Sequence, residues 1–271
     1  EDACVAAVLR ELGQIVDLLR EGDLQMVPGH RLVERQRLHF PFWPGVEFVR
    51  VRIHVARPAC RETTGADALP NGAALYAYNV RWHTTTGLSS KEIHEIGLSE
   101  VKRLRALMDD VMAEVRFTGG FEAFKKHLRT APEFFYRDAA ALVTGYRDIA
   151  KRADPELAHL FGTLPRLPYG VERVSDAIAP SQTTAYYEPG APKAGRPGNM
   201  YANTYKLDAR PKWEMEALTL HEAVPGHHLQ IALSAEIKGL PEFRRFSYFD
   251  AFGEGWGLYS EWLGKEAGFY T

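Results

Sequence analysis

Cysteine is nearly absent from this chain of 271 residues, with only Cys4 and Cys60 present. Two thiols so far apart build neither a disulfide framework nor a thiolate metal site, and we expect them to be unlinked. Long apolar runs are missing too. No stretch approaches the roughly 18–20 apolar residues that a membrane span needs, so no membrane span is expected. Charge of one sign is not in excess: 33 Lys and Arg face 35 Asp and Glu, a formal net charge of −2. Without a basic block, a nucleic-acid partner is not expected. The first residues lack the charged, apolar and small-residue order of a signal peptide. Because residue 1 is Glu and not Met, both a cytoplasmic location and export after removal of a leader stay open.

What is present is an ordinary globular composition, 45% hydrophobic and 11% aromatic, ample for a core in one domain of 271 residues. Residues 1–22 space Val5, Val8, Leu12, Ile15, Val16 and Leu19 as an amphipathic helix. Alternation of apolar residues over 46–55 and again over 74–82 predicts two strands, joined by a Gly/Pro/Thr-rich connection over 58–72. Ser89 and Ser90 precede a helical pattern running to about residue 115. Further helices are expected near 120–129, 132–153 and 154–160. The Pro- and Gly-rich segment 164–208, with Tyr186, Tyr187, Tyr201 and Tyr205, predicts a loop carrying short strands. A helix is expected over 211–237 and a last one over 248–265. The fold class is therefore mainly α with a small β-sheet.

Three of the ten histidines fall in the run His221-Glu-Ala-Val-Pro-Gly-His-His228. Imidazole is the commonest zinc ligand, and a helix that presents His, an adjacent Glu and a later His can hold the metal while Glu works on its water. The four-residue zincin interval is absent, since position 225 is Pro. Seven positions rotate a helix by about 700°, so His228 faces the way His221 does, while His227 does not. An unbroken helix would leave the two Cα atoms roughly 10 Å apart, so a local distortion is expected. Pro225 and Gly226 supply it, and a larger bulge would make His227 the ligand instead. The third ligand is expected from Glu254, in Phe252-Gly-Glu-Gly-Trp-Gly257, where small residues permit close helix approach. Asp250 and Glu261, on the same helix, are alternatives or acceptors for a ligand's ring N–H. His94-Glu95 opens like a zincin motif but meets Leu98 where the second His belongs.

The string from Leu218 to Gln230, followed by Phe252 to Glu261, resembles the bacterial domain-of-unknown-function family 885, as do Pro70–Tyr76, Glu92–Leu98, Tyr186-Tyr187, Arg196–Gly198 and Tyr201–Asn203. That resemblance implies a helical zinc metallopeptidase-like domain. Family members usually extend further at both ends, which implies a fragment or a short member. A more distant similarity is to helical gluzincins of the angiotensin-converting-enzyme type, through His228-Leu-Gln230, Leu240-Pro241, Arg244-Arg245 and Phe252-Gly-Glu254 in that order. It implies His221, His228 and Glu254 as Zn2+ ligands and Glu222 as general base, with His227 the other candidate. A Tyr hydroxyl, from Tyr201, Tyr186 or Tyr187, or the Arg196 side chain is expected to steady a developing oxyanion. The function expected is zinc-dependent hydrolysis of a peptide or small amide substrate. The alternatives are a metal-dependent hydrolase or lyase of a specialised small molecule, and a catalytically inactive metal-binding scaffold.

Overall fold

The structure, a computed structural model, describes residues 36–38, 48–50, 65–241, 243–244 and 247–270. The helix expected over 1–22 and both cysteines lie outside them. The chain divides into two compact units, Glu1–Asn79 and Val80–Thr271. In the first, β1 (Gln36–Leu38) pairs antiparallel with β2 (Phe48–Arg50), placing a strand in the first stretch where alternation predicts one.

The second predicted strand, over 74–82, is a helix: α1 spans Gly72–Thr84. Ala73, Ala74 and Ala77 are strong helix formers, and an alternating pattern with no strand paired to it does not outweigh them. α2 (Ser90–Glu114) starts where capping chemistry places it. The Ser89 hydroxyl accepts the Glu92 N–H at 3.3 Å while the Glu92 carboxylate accepts the Ser89 N–H at 2.8 Å, satisfying two donors that a helix start would otherwise leave open. α3 (Phe121–Thr130) follows.

The segment expected as two helices, 132–153 and 154–160, is a short 3₁₀ turn and then one helix, α4 (Ala139–Leu160), capped by Asp138. Pro155 lies inside it. A proline in a helix interior costs about 3 kcal/mol. The buried stripe Leu142, Tyr146, Ile149, Ala150, Ala153 and Leu157 runs past it at helical spacing, and the packing of that stripe keeps the helix whole.

Three short strands follow: β3 (Tyr169–Arg173), β4 (Ala185–Glu188) and β5 (Gly198–Ala202). Their order is β3-β5-β4, with β3 parallel and β4 antiparallel to β5. Val171, Met200 and Tyr187 stand in register on the face turned to the helices. Val171, Met200, Ala185 and Ala202 join the buried core with Leu142, Tyr146, Met215 and Leu220. Strand alternation puts Glu172, Tyr201 and Tyr186 on the opposite face.

The single helix expected over 211–237 is two: α5 (Met215–Glu222) and α6 (His227–Glu236), parted by Ala223–Gly226 with a cis Val224–Pro225 bond. α7 (Asp250–Glu266) is the last helix, close to the predicted bounds, and packs against both. Among the described residues no helix is long and apolar enough to cross a membrane. The chain is mainly α with a small sheet, as its sequence predicts.

Candidate metal centre

The break between α5 and α6 decides which side chains meet. A Cβ on Gly226 would lie 1.8 Å from the His221 carbonyl oxygen and 2.4 Å from that of Leu220, so the backbone folds back onto the end of α5 as only glycine permits. The His228 N–H donates to the Ala223 carbonyl at 3.0 Å across the turn. From α7 the Trp256 indole N–H donates to the Pro225 carbonyl at 2.8 Å and ties the turn down.

Three donors converge here, one each from α5, α6 and α7. The nearest ligand atoms of His221, His227 and Glu254 all lie within 4.8 Å of one another. Nε2 of His221 is 3.4 Å, and Nε2 of His227 3.7 Å, from the same Glu254 oxygen, Oε2. The two imidazoles meet edge to face with centroids 4.7 Å apart. Donors at 2.0–2.1 Å from one tetrahedral zinc stand about 3.3–3.4 Å from each other, so Glu254 Oε2 stands near ligand spacing from both imidazoles, and the 4.8 Å span of the whole set has to narrow toward that spacing for all three to share one ion. The Glu254 side chain is 56% exposed, which leaves the cluster open to solvent on that side.

The orientation of His221 is set by its surroundings. Its Nδ1 lies 2.7 Å from Oε1 of Glu261, one of the two alternatives to Glu254. A carboxylate only accepts, so Nδ1 carries the proton and Nε2 presents its lone pair to the cluster in the neutral ring. The Glu261 hydrogen bond pushes the His221 pKa up against the effect of burial, and the nearby Glu222, Glu261 and Glu254 charges add to the rise. Burial and the His221 charge hold His227 below its ordinary value. Its Nδ1 is buried with no hydrogen-bond partner, so the ring is placed by packing.

His228, expected as a ligand, points the other way. Its Nε2–H donates to the Leu167 carbonyl at 3.0 Å, so Nδ1 must accept, and the Tyr187 hydroxyl donates to it at 2.9 Å. With 1% exposure and both nitrogens taken, it has no lone pair for an ion. Burial keeps it neutral by lowering its pKa. The four-residue break, by interrupting the helical rotation, gives His227 the direction that a continuous helix would give His228.

Glu222 ends α5, beside His221 in sequence and half-buried. Burial raises its pKa, the His221 charge opposes the rise, Glu254 and Glu261 reinforce it, and the Tyr187 backbone N–H from β4 lies against its carboxylate. Tyr201 and Arg196 are not brought to the cluster. Tyr201 stacks on Tyr186 on the sheet face opposite the helices, because Met200 and Ala202 take the core side. Arg196 pairs with Glu188 at 2.5 Å. Asp250 pairs with His83 instead. Tyr248 is a residue that sequence reasoning missed: its hydroxyl donates to Oε1 of Glu254 at 2.8 Å. Its only signal was an aromatic hydroxyl six positions before the expected ligand.

A family model described as "Bacterial protein of unknown function (DUF885)" matches residues 5–271. The chain belongs to the DUF885 family. A crystal structure described as "the putative lipoprotein from Colwellia psychrerythraea" is similar to this DUF885 chain, with 31% identity and a TM-score of 0.74. The match covers 79% of this chain and 37% of that one, so the chain spans well under half the length of that protein. No curated protein matches it.

Proposed function

We propose that this DUF885 chain carries the active site of a zinc-dependent hydrolase that cleaves peptide or related amide bonds. The observation that carries the reading is the convergence of His221, His227 and Glu254 from three helices, with Glu222 directly following the first of them. A Zn2+ ion held there would lower the pKa of its water toward about 7 and polarise a carbonyl oxygen.

The chain's own residues supply the rest. His221, His227 and Glu254 would hold the ion, and Glu261 holds the His221 ring by its Nδ1–H. Glu222 serves as general base. Its raised pKa suits a carboxylate that takes a proton from water and returns it to a leaving amine. The neighbour's description as a lipoprotein supports export over a cytoplasmic location.

Metal analysis after incubation with zinc and dialysis tests the reading, alongside cleavage of a mixed peptide pool. One zinc per wild-type chain, loss of zinc in His221→Ala, and retained zinc without cleavage in Glu222→Gln are the results expected. A wild-type chain that holds no zinc overturns the site. One that holds zinc and cleaves nothing overturns the activity and favours the scaffold.

A further inference from the structure

We propose that Tyr248 is a positioning residue that makes Glu254 a one-oxygen ligand and thereby keeps a fourth coordination position open; this rests on the metal-site reading above. The two oxygens of Glu254 do different things. Oε2 is the atom 3.4 Å and 3.7 Å from the two imidazole nitrogens. Oε1 accepts the Tyr248 hydroxyl at 2.8 Å.

Tyr248 precedes α7 and reaches forward over its first turn to the carboxylate. The path exists because residue 253 has no side chain: a Cβ there would fall 2.1 Å from the Tyr248 oxygen and 2.2 Å from the ring carbon that bears it. Gly253 itself is buried. A catalytic zinc has three protein ligands and an open fourth position for water or substrate. A carboxylate free to turn would offer both oxygens and fill that position. With Oε1 held by a phenol, Oε2 alone remains for an ion. Outer partners of metal ligands typically change affinity or activity by about 10–100-fold when removed.

The experiment compares wild type, Tyr248→Phe and Gly253→Ala. Zn2+ affinity is measured by competition with a chromophoric chelator, the visible spectrum is taken with Co2+, and the thermal midpoint is recorded for the metal-free chains. Tyr248→Phe is expected to weaken Zn2+ binding about 10–100-fold. Its Co2+ absorption should change in band position and intensity, as the second carboxylate oxygen takes the place of the solvent ligand at the fourth position. The metal-free midpoint should stay within a few degrees of wild type. Gly253→Ala, which keeps the hydroxyl but displaces it, should reproduce both metal effects. Unchanged affinity and spectrum in Tyr248→Phe overturn the positioning role while the metal site stands. A wild-type chain that binds neither Zn2+ nor Co2+ overturns both.

Discussion

The imidazole of His221 lies across Gly257: a Cβ at that position would sit 2.5–2.9 Å from three of its ring atoms. One turn further on, Glu261 holds the ring's Nδ1. A single helix thus supplies the floor beneath His221, the acceptor that orients it and the carboxylate of Glu254 that faces its other nitrogen.

Gly257→Ala should therefore displace the ring. Overpacking of a close contact costs about 1–3 kcal/mol. We expect a loss of that size in urea unfolding of the metal-free chain, together with weakened zinc binding in the chelator competition. Unchanged zinc affinity would mean that the ring does not ligate from this position.

The adjacent histidines should separate cleanly. His227→Ala should abolish stoichiometric zinc in metal analysis. His228→Ala should keep the zinc. It should lower stability by about 2–4 kcal/mol, because it empties a buried site and leaves the Leu167 carbonyl and the Tyr187 hydroxyl without their partner. The reverse result would place the ligand at His228.

Gly226→Ala should be among the most damaging single substitutions, since the added carbon would meet two carbonyl oxygens of α5 at 1.8 and 2.4 Å and neither is a flexible end. A loss of about 3 kcal/mol or more, or failure to accumulate as folded protein, is expected by circular dichroism.

Glu236 gives a pH-dependent test away from the cluster. Its carboxylate accepts the Arg166 N–H at 2.8 Å, the Leu167 N–H at 3.3 Å and the Arg166 side chain at 3.0 Å, and so holds the loop whose Leu167 carbonyl receives His228. Burial pushes its pKa up, but these hydrogen bonds outweigh that and hold it below the ordinary value. A carboxylate with a depressed folded pKa contributes stability above its unfolded pKa and loses it as pH falls through the folded value. Glu236→Gln should cost about 1 kcal/mol at pH 7, the scale of a net hydrogen bond, and nothing once the pH is below both values. A difference from wild type that stays constant with pH in denaturant titrations would refute the assignment.

Much of the candidate site can be read in the chain before folding is considered. The density of histidines at 221–228, Glu222 beside the first of them, and Glu254 among glycines are local patterns whose chemistry follows from residue type and spacing. The capping box at Ser89 is equally local, since both of its hydrogen bonds close within one turn. Alternation at 74–82 misleads because a period of two has meaning only against a partner strand, and three alanines favour the helix when none is paired.

Residue type and spacing thus settle which donors are available, because imidazole and carboxylate chemistry travels with the side chain. They leave open which donors point at one another. That choice between His227 and His228 depends on how far the backbone turns between α5 and α6. The turn is held by a glycine pressed on a carbonyl, by an indole reaching from α7 and by Tyr187 and Leu167 waiting for the other ring. The indole, the phenol and the Leu167 carbonyl lie tens of residues away along the chain, and direction in space follows from contacts that no local periodicity encodes.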